Sequence, residues 1–122
     1  MTSSKDQQTY ANAWLNKCDV QIELRRLDDA VATCARAVEL EPGDPINHYN
    51  LAGVHALRGE VEEAVEHLKR DVELGDTEWR WLAEDPWFEG MRDEPRLQAI
   101  LEEMKVLDAR TKTDLAEGDQ RF

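Results

Sequence analysis

The chain has 122 residues, 41% of them hydrophobic, and its 27 acidic and 15 basic residues give a formal net charge of −12. This size and apolar fraction fit one small domain with its own core. The acidic excess argues against duplex nucleic acid as a partner, because Lys and Arg must neutralise its phosphates. No apolar run approaches the roughly 20 residues of a membrane-spanning helix.

The first part of the chain predicts two helices. Residues 1–9 are polar, lack the apolar stretch of a secretory signal and are expected to be flexible, so a cytoplasmic location is the default expectation. A first helix is predicted from about Thr9 to Leu24 and a second from Asp28 to about Glu41. Apolar residues follow helical spacing in the first of them, namely Tyr10, Trp14, Cys18 and Ile22.

Two further helices follow a cluster of helix breakers, Pro-Gly-Asp-Pro, at residues 42–45. The third helix is predicted to begin with Pro45, since proline is well tolerated at the first helical position. It is predicted to end at Gly59, because glycine suits the left-handed conformation that follows many helices. The fourth helix is predicted from Val61 to Leu74, and Gly75 stops it.

The two helical pairs share a sequence period of 34 residues. Leu-Asp-Asp-Ala-Val at residues 27–31 is matched by Val-Glu-Glu-Ala-Val at residues 61–65, and Asn16 and Asn50 stand at the same offset. A period of this length with a helix–turn–helix pattern predicts stacked helical hairpins. Such arrays typically present a surface that binds other proteins.

Small residues recur where the helices are expected to cross, and short side chains let helix axes approach to about 8–10 Å. These positions hold Cys18, Ala30, Ala37, Ala52 and Ala64. With Gly59 at a hairpin turn and Pro42 after the second helix, the pattern resembles the tetratricopeptide repeat family. The resemblance implies an all-α, right-handed helical-hairpin solenoid with units at residues 10–43 and 44–76.

The chain departs from the family pattern at three positions. Arg25 stands where the family favours Gly at a turn, Asp71 where it favours Ala, and Asp76 where it favours Pro. Asp71 is therefore expected to meet a polar group or solvent.

Residues 77–112 follow a different pattern, which resembles the end-of-group segment of bacterial tetratricopeptide arrays. Asp85-Pro86 and Glu94-Pro95 are each expected to start a helix, since the acidic residue complements the helix dipole and proline presets the first turn. The last helix is predicted from Pro95 to about Ala109, and residues 113–122 are predicted to be a flexible tail. This segment is expected to cap the solenoid with one apolar face, formed by Leu97, Ile100, Leu101, Met104 and Leu107.

In the family, the first helix of each repeat lines a concave groove, and the resemblance carries those positions to this chain. The implied peptide-binding residues are Asn12, Leu15, Asn16, Asp19 and Ile22 from unit one and Ile46, Tyr49, Asn50, Gly53, Ala56 and Leu57 from unit two. Asn16 and Asn50 suit the backbone of an extended peptide, because an amide offers both donors and an acceptor. A close-packing role is an equal alternative for Gly53.

The aromatic and sulfur-containing residues have mainly structural interpretations. The Trp79–Phe88 segment is expected to form the core of the cap, with Trp81 or Trp87 exposed as an anchor for a partner. Cys18 and Cys34 are expected to be buried thiols rather than a disulfide, since cytosolic proteins rarely keep disulfides. His48 and His55 are expected to replace aromatic residues, and no metal, cofactor or catalytic constellation is predicted.

The predicted function is non-catalytic protein–protein interaction, as an adaptor or scaffold that binds a peptide or protein in the groove. A basic partner is favoured by the negative charge, and its association should weaken with salt. A clamp for a C-terminal carboxylate is not expected, because Leu15 and Asp19 stand at clamp positions. The alternatives are a self-assembly module, giving a homo-oligomer, and the regulatory tail of a larger bacterial signalling protein.

Overall fold

The computed structural model describes the backbone of residues 4–119 and the side chains of residues 8–115. All regular secondary structure in these residues is helical. Six α-helices and one 3₁₀ helix follow in the order α1 (Ser4–Glu23), α2 (Leu27–Leu40), α3 (Pro45–Leu57), α4 (Val61–Glu73), α5 (Trp79–Glu84), the 3₁₀ helix (Pro86–Met91) and α6 (Pro95–Asp119). The all-α prediction is confirmed.

The helices pack as two hairpins stacked side by side. Helix α1 packs on α2, α3 packs on α4, and α2 joins the hairpins by packing on α3. Ala30 and Ala64 have no accessible surface. Ala30 lies in a first hydrophobic cluster together with Cys18 and Cys34, and Ala64 lies in a separate, second cluster. Short side chains at these points allow the close helix approach that the sequence pattern predicted.

The last three elements cover the second hairpin. Helix α6 packs on α4, and the 3₁₀ helix packs on α3. The predicted apolar face of α6 is confirmed: Leu97, Ile100, Leu101 and Met104 are buried in the second cluster and Leu107 packs against it. Phe88 and Met91 of the 3₁₀ helix enter the same cluster, so this core is shared by both hairpin helices and the C-terminal segment.

Caps and turns follow from local chemistry. Asp44 accepts a hydrogen bond from the Ile46 amide at 3.1 Å, and Asp85 accepts one from the Trp87 amide at 3.0 Å, so each of these Asp-Pro steps starts a helix as predicted. Arg25 adopts a left-handed φ of 59° at the turn where glycine would fit without strain. Its guanidinium donates to the Ile22 carbonyl at 2.9 Å, which helps to hold this turn.

Both terminal helices are longer than predicted. Helix α1 begins at Ser4 rather than near Thr9, and α6 continues to Asp119 rather than ending near Ala109. The predicted flexible segments are thus helical over residues 4–9 and 113–119, while residues 1–3 and 120–122 lie outside the described residues. In the part of this extension whose side chains are described, Leu115 is exposed, and local hydrogen bonds occur, such as that from Lys112 to Asp108 at 3.0 Å.

Cys18 and Cys34 form a disulfide between α1 and α2, with their Cα atoms 5.1 Å apart. The prediction of two free thiols is wrong for this structure. It placed both side chains correctly in the interior of the first hairpin, but spacing along the chain did not reveal that they face each other. The bond links the two helices at the centre of the first hydrophobic cluster.

Reduction of this disulfide should destabilise the first hairpin. The bond closes a loop between residues 16 apart in sequence, and a loop of this size contributes about 3 kcal/mol in the chain-entropy description. Urea unfolding with and without reductant should show a loss of on the order of 2–4 kcal/mol. A Cys18→Ala/Cys34→Ala variant should be insensitive to reductant, and an unreduced protein with two alkylatable thiols would contradict the bond.

Candidate functional site

A cleft of about 520 Å³ lies between α1, α3 and the segment that joins α5 to the 3₁₀ helix. We call it the groove. Its wall combines apolar surface with acidic and amide groups. The lining residues are Leu15, Asn16, Asp19, Glu23, Arg25, Ile46, Tyr49, Asn50, Trp81, Asp85, Pro86 and Trp87.

Most of the residues predicted to bind a peptide come together in this cleft. From α1 the structure brings Leu15, Asn16 and Asp19, and from α3 it brings Ile46, Tyr49 and Asn50. Both predicted aromatic anchors, Trp81 and Trp87, line it as well. Helical spacing explains the agreement, since residues three or four apart on α1 and on α3 share one face.

The remaining predicted residues lie elsewhere. Asn12 is exposed on α1 outside the groove, where its side-chain Oδ1 accepts a hydrogen bond from the side-chain amide of Gln8. Ile22 is fully buried in the first hydrophobic cluster and Leu57 packs against that cluster. Gly53 and Ala56 are buried as well. Apart from the exposed Asn12, these residues thus lie in the hairpin interior or its packed flanks, and none of the five lines the groove.

Gly53 has a packing role rather than a groove-floor role. A Cβ atom at this position would lie 2.5 Å from Cε3 of the Trp87 indole, which is closer than such contacts allow. The half-buried Trp87 therefore covers α3 at this point, packing against both hydrophobic clusters. The chain itself fills this part of the concave face and leaves the groove open beyond it.

The two asparagines of the repeat present free amide groups to the groove. Asn16 is exposed and Asn50 is buried, with 6% of its surface accessible. Among the described residues, neither side chain forms a hydrogen bond. The Asn50 amide is not among the fully buried unpartnered side-chain atoms of the described residues, so it still reaches the surface of the cleft. A ligand can therefore replace water as its hydrogen-bond partner.

Tyr49 and Asp85 hold the C-terminal segment against α3. The Tyr49 hydroxyl donates to Asp85 Oδ2 at 2.5 Å, and its ring lies 5.4 Å from Phe88 and 6.4 Å from Trp87 between centroids. Burial, followed by the hydrogen bond to Asp85, raises the pKa of Tyr49 above its usual range. The hydroxyl thus remains a donor, and the groove wall is fixed by a buried polar contact.

A second pocket, of about 330 Å³, adjoins the groove and shares Ile46, Tyr49 and Trp81 with it. We call it the acidic pocket. Three acidic side chains and two aromatic rings lie in its wall, which is mainly apolar and is completed by the start of α3 and the turn after α4. Its lining residues are Pro45, Ile46, Tyr49, Asp71, Leu74, Gly75, Asp76, Glu78 and Trp81.

Asp71 is fully buried, so of its two expected surroundings the structure shows the polar group, which is Asp76, and not solvent. Neither carboxyl oxygen accepts a hydrogen bond from another group in the described part of the chain. Burial is the main cause that raises the pKa of Asp71 to about 9, and hydrogen bonding to Asp76 and repulsion by its charge add to it. At neutral pH Asp71 therefore carries a proton, which it can donate to the Asp76 carboxylate.

The three histidines form a stack rather than a metal site. The His67 ring lies between those of His48 and His55, at centroid distances of 5.8 and 5.7 Å. Burial, and then the neighbouring imidazoles, lower the pKa of His67. Across the described residues, no three His, Cys, Asp or Glu side chains converge on a point that could hold a metal ion.

Sequence reasoning missed several residues of these clefts. Arg25, Asp85 and Pro86 line the groove, and Glu78 lines the acidic pocket. Most of them lie in turns between helices, where no periodic pattern indicates which way a side chain points. The available signals for the acidic pocket were Asp71 and Asp76, carboxylates at register positions where the family favours Ala and Pro.

A model of the tetratricopeptide repeat family matches residues 21–80, from the end of α1 to the start of α5. The chain belongs to the tetratricopeptide repeat family. Tetratricopeptide repeats generally mediate protein–protein interaction, bind proteins or peptides and are typically non-catalytic. A comparison with curated proteins found no match. Within the residues that the structure describes, no helix has the length and hydropathy needed to cross a bilayer.

Replacing Gly53 by Ala should destabilise this tetratricopeptide protein, although Ala is the better helix former. The added methyl group would overlap Trp87, and overpacking costs about 1–3 kcal/mol, which exceeds the helix-propensity gain of about 1 kcal/mol. Urea unfolding should show a net loss of up to about 2 kcal/mol. Gly90→Ala is the control, since no atom lies within 4 Å of its added Cβ, and an equal loss in a Trp87→Leu background would contradict the overlap.

Replacing Asp71 by Asn should stabilise the protein. The folded-state pKa near 9 exceeds the unfolded value of about 3.9, so folding must retain a proton that the unfolded chain releases. The free energy of unfolding of the wild type should therefore fall as pH rises from about 4 to 9. At pH 7 Asp71→Asn should gain on the order of 2–4 kcal/mol.

The measurement is urea unfolding of both proteins at pH 5, 7 and 9. The advantage of Asp71→Asn should grow with pH, because Asn keeps the shape and the donor of the protonated carboxyl but does not titrate. Asp19→Asn removes the same charge from an exposed site and should lack this trend. A constant difference across the three pH values would contradict the raised pKa.

Proposed function

We propose that this tetratricopeptide protein is an adaptor that holds an extended peptide of a partner protein in the groove. The observation that carries the proposal is the position of Asn16 and Asn50. They stand one repeat apart, both line the same cleft, and both amides are free of hydrogen bonds within the described residues. Each amide can donate to a peptide carbonyl and accept from a peptide N–H.

The groove also supplies apolar contact and charge. Leu15, Ile46 and the exposed face of Trp81 offer surface for side chains of the peptide. Asp19, Glu23 and Asp85 outweigh Arg25 in the wall, which favours a peptide with basic residues. Because much of this charge is solvent-exposed, the association should weaken as ionic strength rises.

Self-association is the second candidate, and exposed apolar residues at the end of α1 favour it. Val20 on α1 and Leu24 just after the helix are 55% and 61% exposed and do not line the groove. Apolar residues in such a position can pair with a second copy of the chain. A third candidate is that the chain is the regulatory tail of a larger signalling protein.

We keep a cytoplasmic location as the proposal. A Cys18–Cys34 disulfide that persists in cells would instead favour an oxidising compartment.

The groove is tested with peptides selected from a random display library on the immobilised protein. Fluorescence anisotropy then measures the Kd of each selected peptide for the wild type and for the Asn16→Ala/Asn50→Ala variant. We expect the double variant to raise the Kd by on the order of tenfold or more, since each lost hydrogen bond is worth about 0.5–1.5 kcal/mol. The Kd should also rise with salt.

Asn12→Ala is the matched control, because Asn12 is exposed on the same helix but outside the groove. It should leave the Kd unchanged. Sedimentation at several concentrations is run on the same samples, so that self-association is separated from peptide binding. Equal affinity of the wild type and the folded double variant would rule out the groove as the binding site.

A further inference from the structure

The acidic pocket contains a carboxyl group that the fold does not need. Asp71 is one repeat period after Ala37, and both are buried in the interior of their hairpins. Ala37 shows that a methyl group satisfies the packing at this register position. A buried carboxyl without a hydrogen-bond donor lowers stability, so its presence points to a role outside folding.

The walls of the pocket define the chemistry that would complete it. Asp76 lies beside Asp71 and is partly exposed, and Glu78 is exposed on the same wall. No basic side chain lines the pocket. The pocket therefore repels anions and lacks only a positive charge.

The aromatic rings narrow the choice of cation. Trp81 borders the pocket with 69% of its surface exposed, and no cation of the described residues lies over its ring. Trp79, by contrast, carries Arg80 at 4.3 Å and Lys105 at 5.0 Å from the ring centroid. A planar guanidinium combines stacking on an indole with a forked contact to a carboxylate, whereas an ammonium is a compact point charge. A metal ion is disfavoured, because no ligand cluster converges among the described residues.

We propose that the acidic pocket binds a guanidinium group, with the partly exposed Asp76 carboxylate as its direct partner and the Trp81 ring stacked on its plane. The buried Asp71 carboxyl beside Asp76 would act on the bound group through its charge. The group would be an arginine side chain of the peptide held in the groove, and this assignment of its source rests on the proposed function. The shared wall of Ile46, Tyr49 and Trp81 joins the two clefts. A peptide lying along the groove therefore passes the mouth of the pocket.

Binding should couple to the proton on Asp71. The guanidinium first meets Asp76, whose neutralisation removes the repulsion that helps keep Asp71 protonated, and Asp71 then releases its proton to solvent. The groups that face Asp71 are Asp76 from the turn after α4 and Tyr49 from α3, and Glu78 shares the pocket wall. Tyr49 stays protonated over this range, and the guanidinium stays charged, since its own pKa is above about 12.

The direction of the pH dependence follows from linkage. Because the free protein holds a proton at Asp71 up to a pKa near 9 and the complex favours the ionised form, affinity should increase from pH 6 to pH 9. The increase can reach about tenfold per pH unit if one full proton is released.

The test uses Nα-acetyl-arginine methylamide as the probe and follows the Trp81 indole N–H resonance of the whole chain by NMR. We expect a saturable shift whose Kd falls by several-fold between pH 6 and pH 8. The neutral citrulline analogue should not produce it, and the acetyl-lysine analogue should bind more weakly. Asp71→Asn should raise the Kd on the order of tenfold and remove the pH dependence.

Two controls separate the pocket from general surface charge and from folding. Glu103→Gln removes an exposed carboxylate of α6 that lines neither cleft and should leave the arginine affinity unchanged. Asp71→Asn should unfold at a higher urea concentration than the wild type, so its loss of binding cannot come from loss of structure. The proposal thus requires that one substitution improves stability and weakens binding.

The outcomes are distinct for the two proposals. Equal binding of the citrulline or lysine analogue, an unchanged Kd in Asp71→Asn, or no shift at Trp81 would overturn the guanidinium pocket. If the arginine probe binds but the Kd of the selected peptides is the same for the wild type and for Asn16→Ala/Asn50→Ala, the result would support the pocket and contradict the groove. Selected peptides that need both asparagines but tolerate replacement of every arginine would support the groove and contradict the pocket.

Discussion

The contact between Trp87 and Gly53 joins the C-terminal segment to the central helix α3 of the repeats. The indole covers α3 where only a glycine allows it to approach, and it packs against both hydrophobic clusters. Because the contact places the C-terminal segment on the concave side of α3, Asp85 comes within hydrogen-bond distance of the Tyr49 hydroxyl. The groove and the acidic pocket are therefore bounded by the repeats on one side and by this segment on the other.

In this two-repeat solenoid, the segment from α5 to the 3₁₀ helix has two roles, because it both completes the core and lines the groove. Phe88 and Met91 complete the core of the second hairpin, while Trp81 and Pro86, on the same stretch of chain, line the groove. Stacked hairpins need a neighbour or a cap to bury their apolar faces. Here the covering segment also narrows the concave face, which leaves a short cleft in place of the extended groove of a longer array.

The acidic pocket shows how stability and binding can oppose each other at one residue. Ala37 and Asp71 occupy the same register position in the two repeats. The first repeat therefore buries a methyl group there, whereas the second buries a carboxyl group that lowers stability. The carboxyl loses its hydration on folding and gains no donor from the described residues. Binding sites commonly carry unfavourable groups of this kind, because a site organised for a ligand cannot also be satisfied without it.

Patterns along the chain were enough to predict the fold and the faces of its helices. The 34-residue period, the small residues at the crossings and the Asp-Pro steps each act locally, through spacing and backbone preference, and they placed Asn16, Tyr49 and Asn50 on one wall. The folded chain was needed to show that Trp87 covers Gly53, that Cys18 and Cys34 face each other, and that Asp71 is buried beside Asp76. These contacts join residues from different elements, so they depend on helix orientation and turn geometry, which no periodic pattern along the chain encodes.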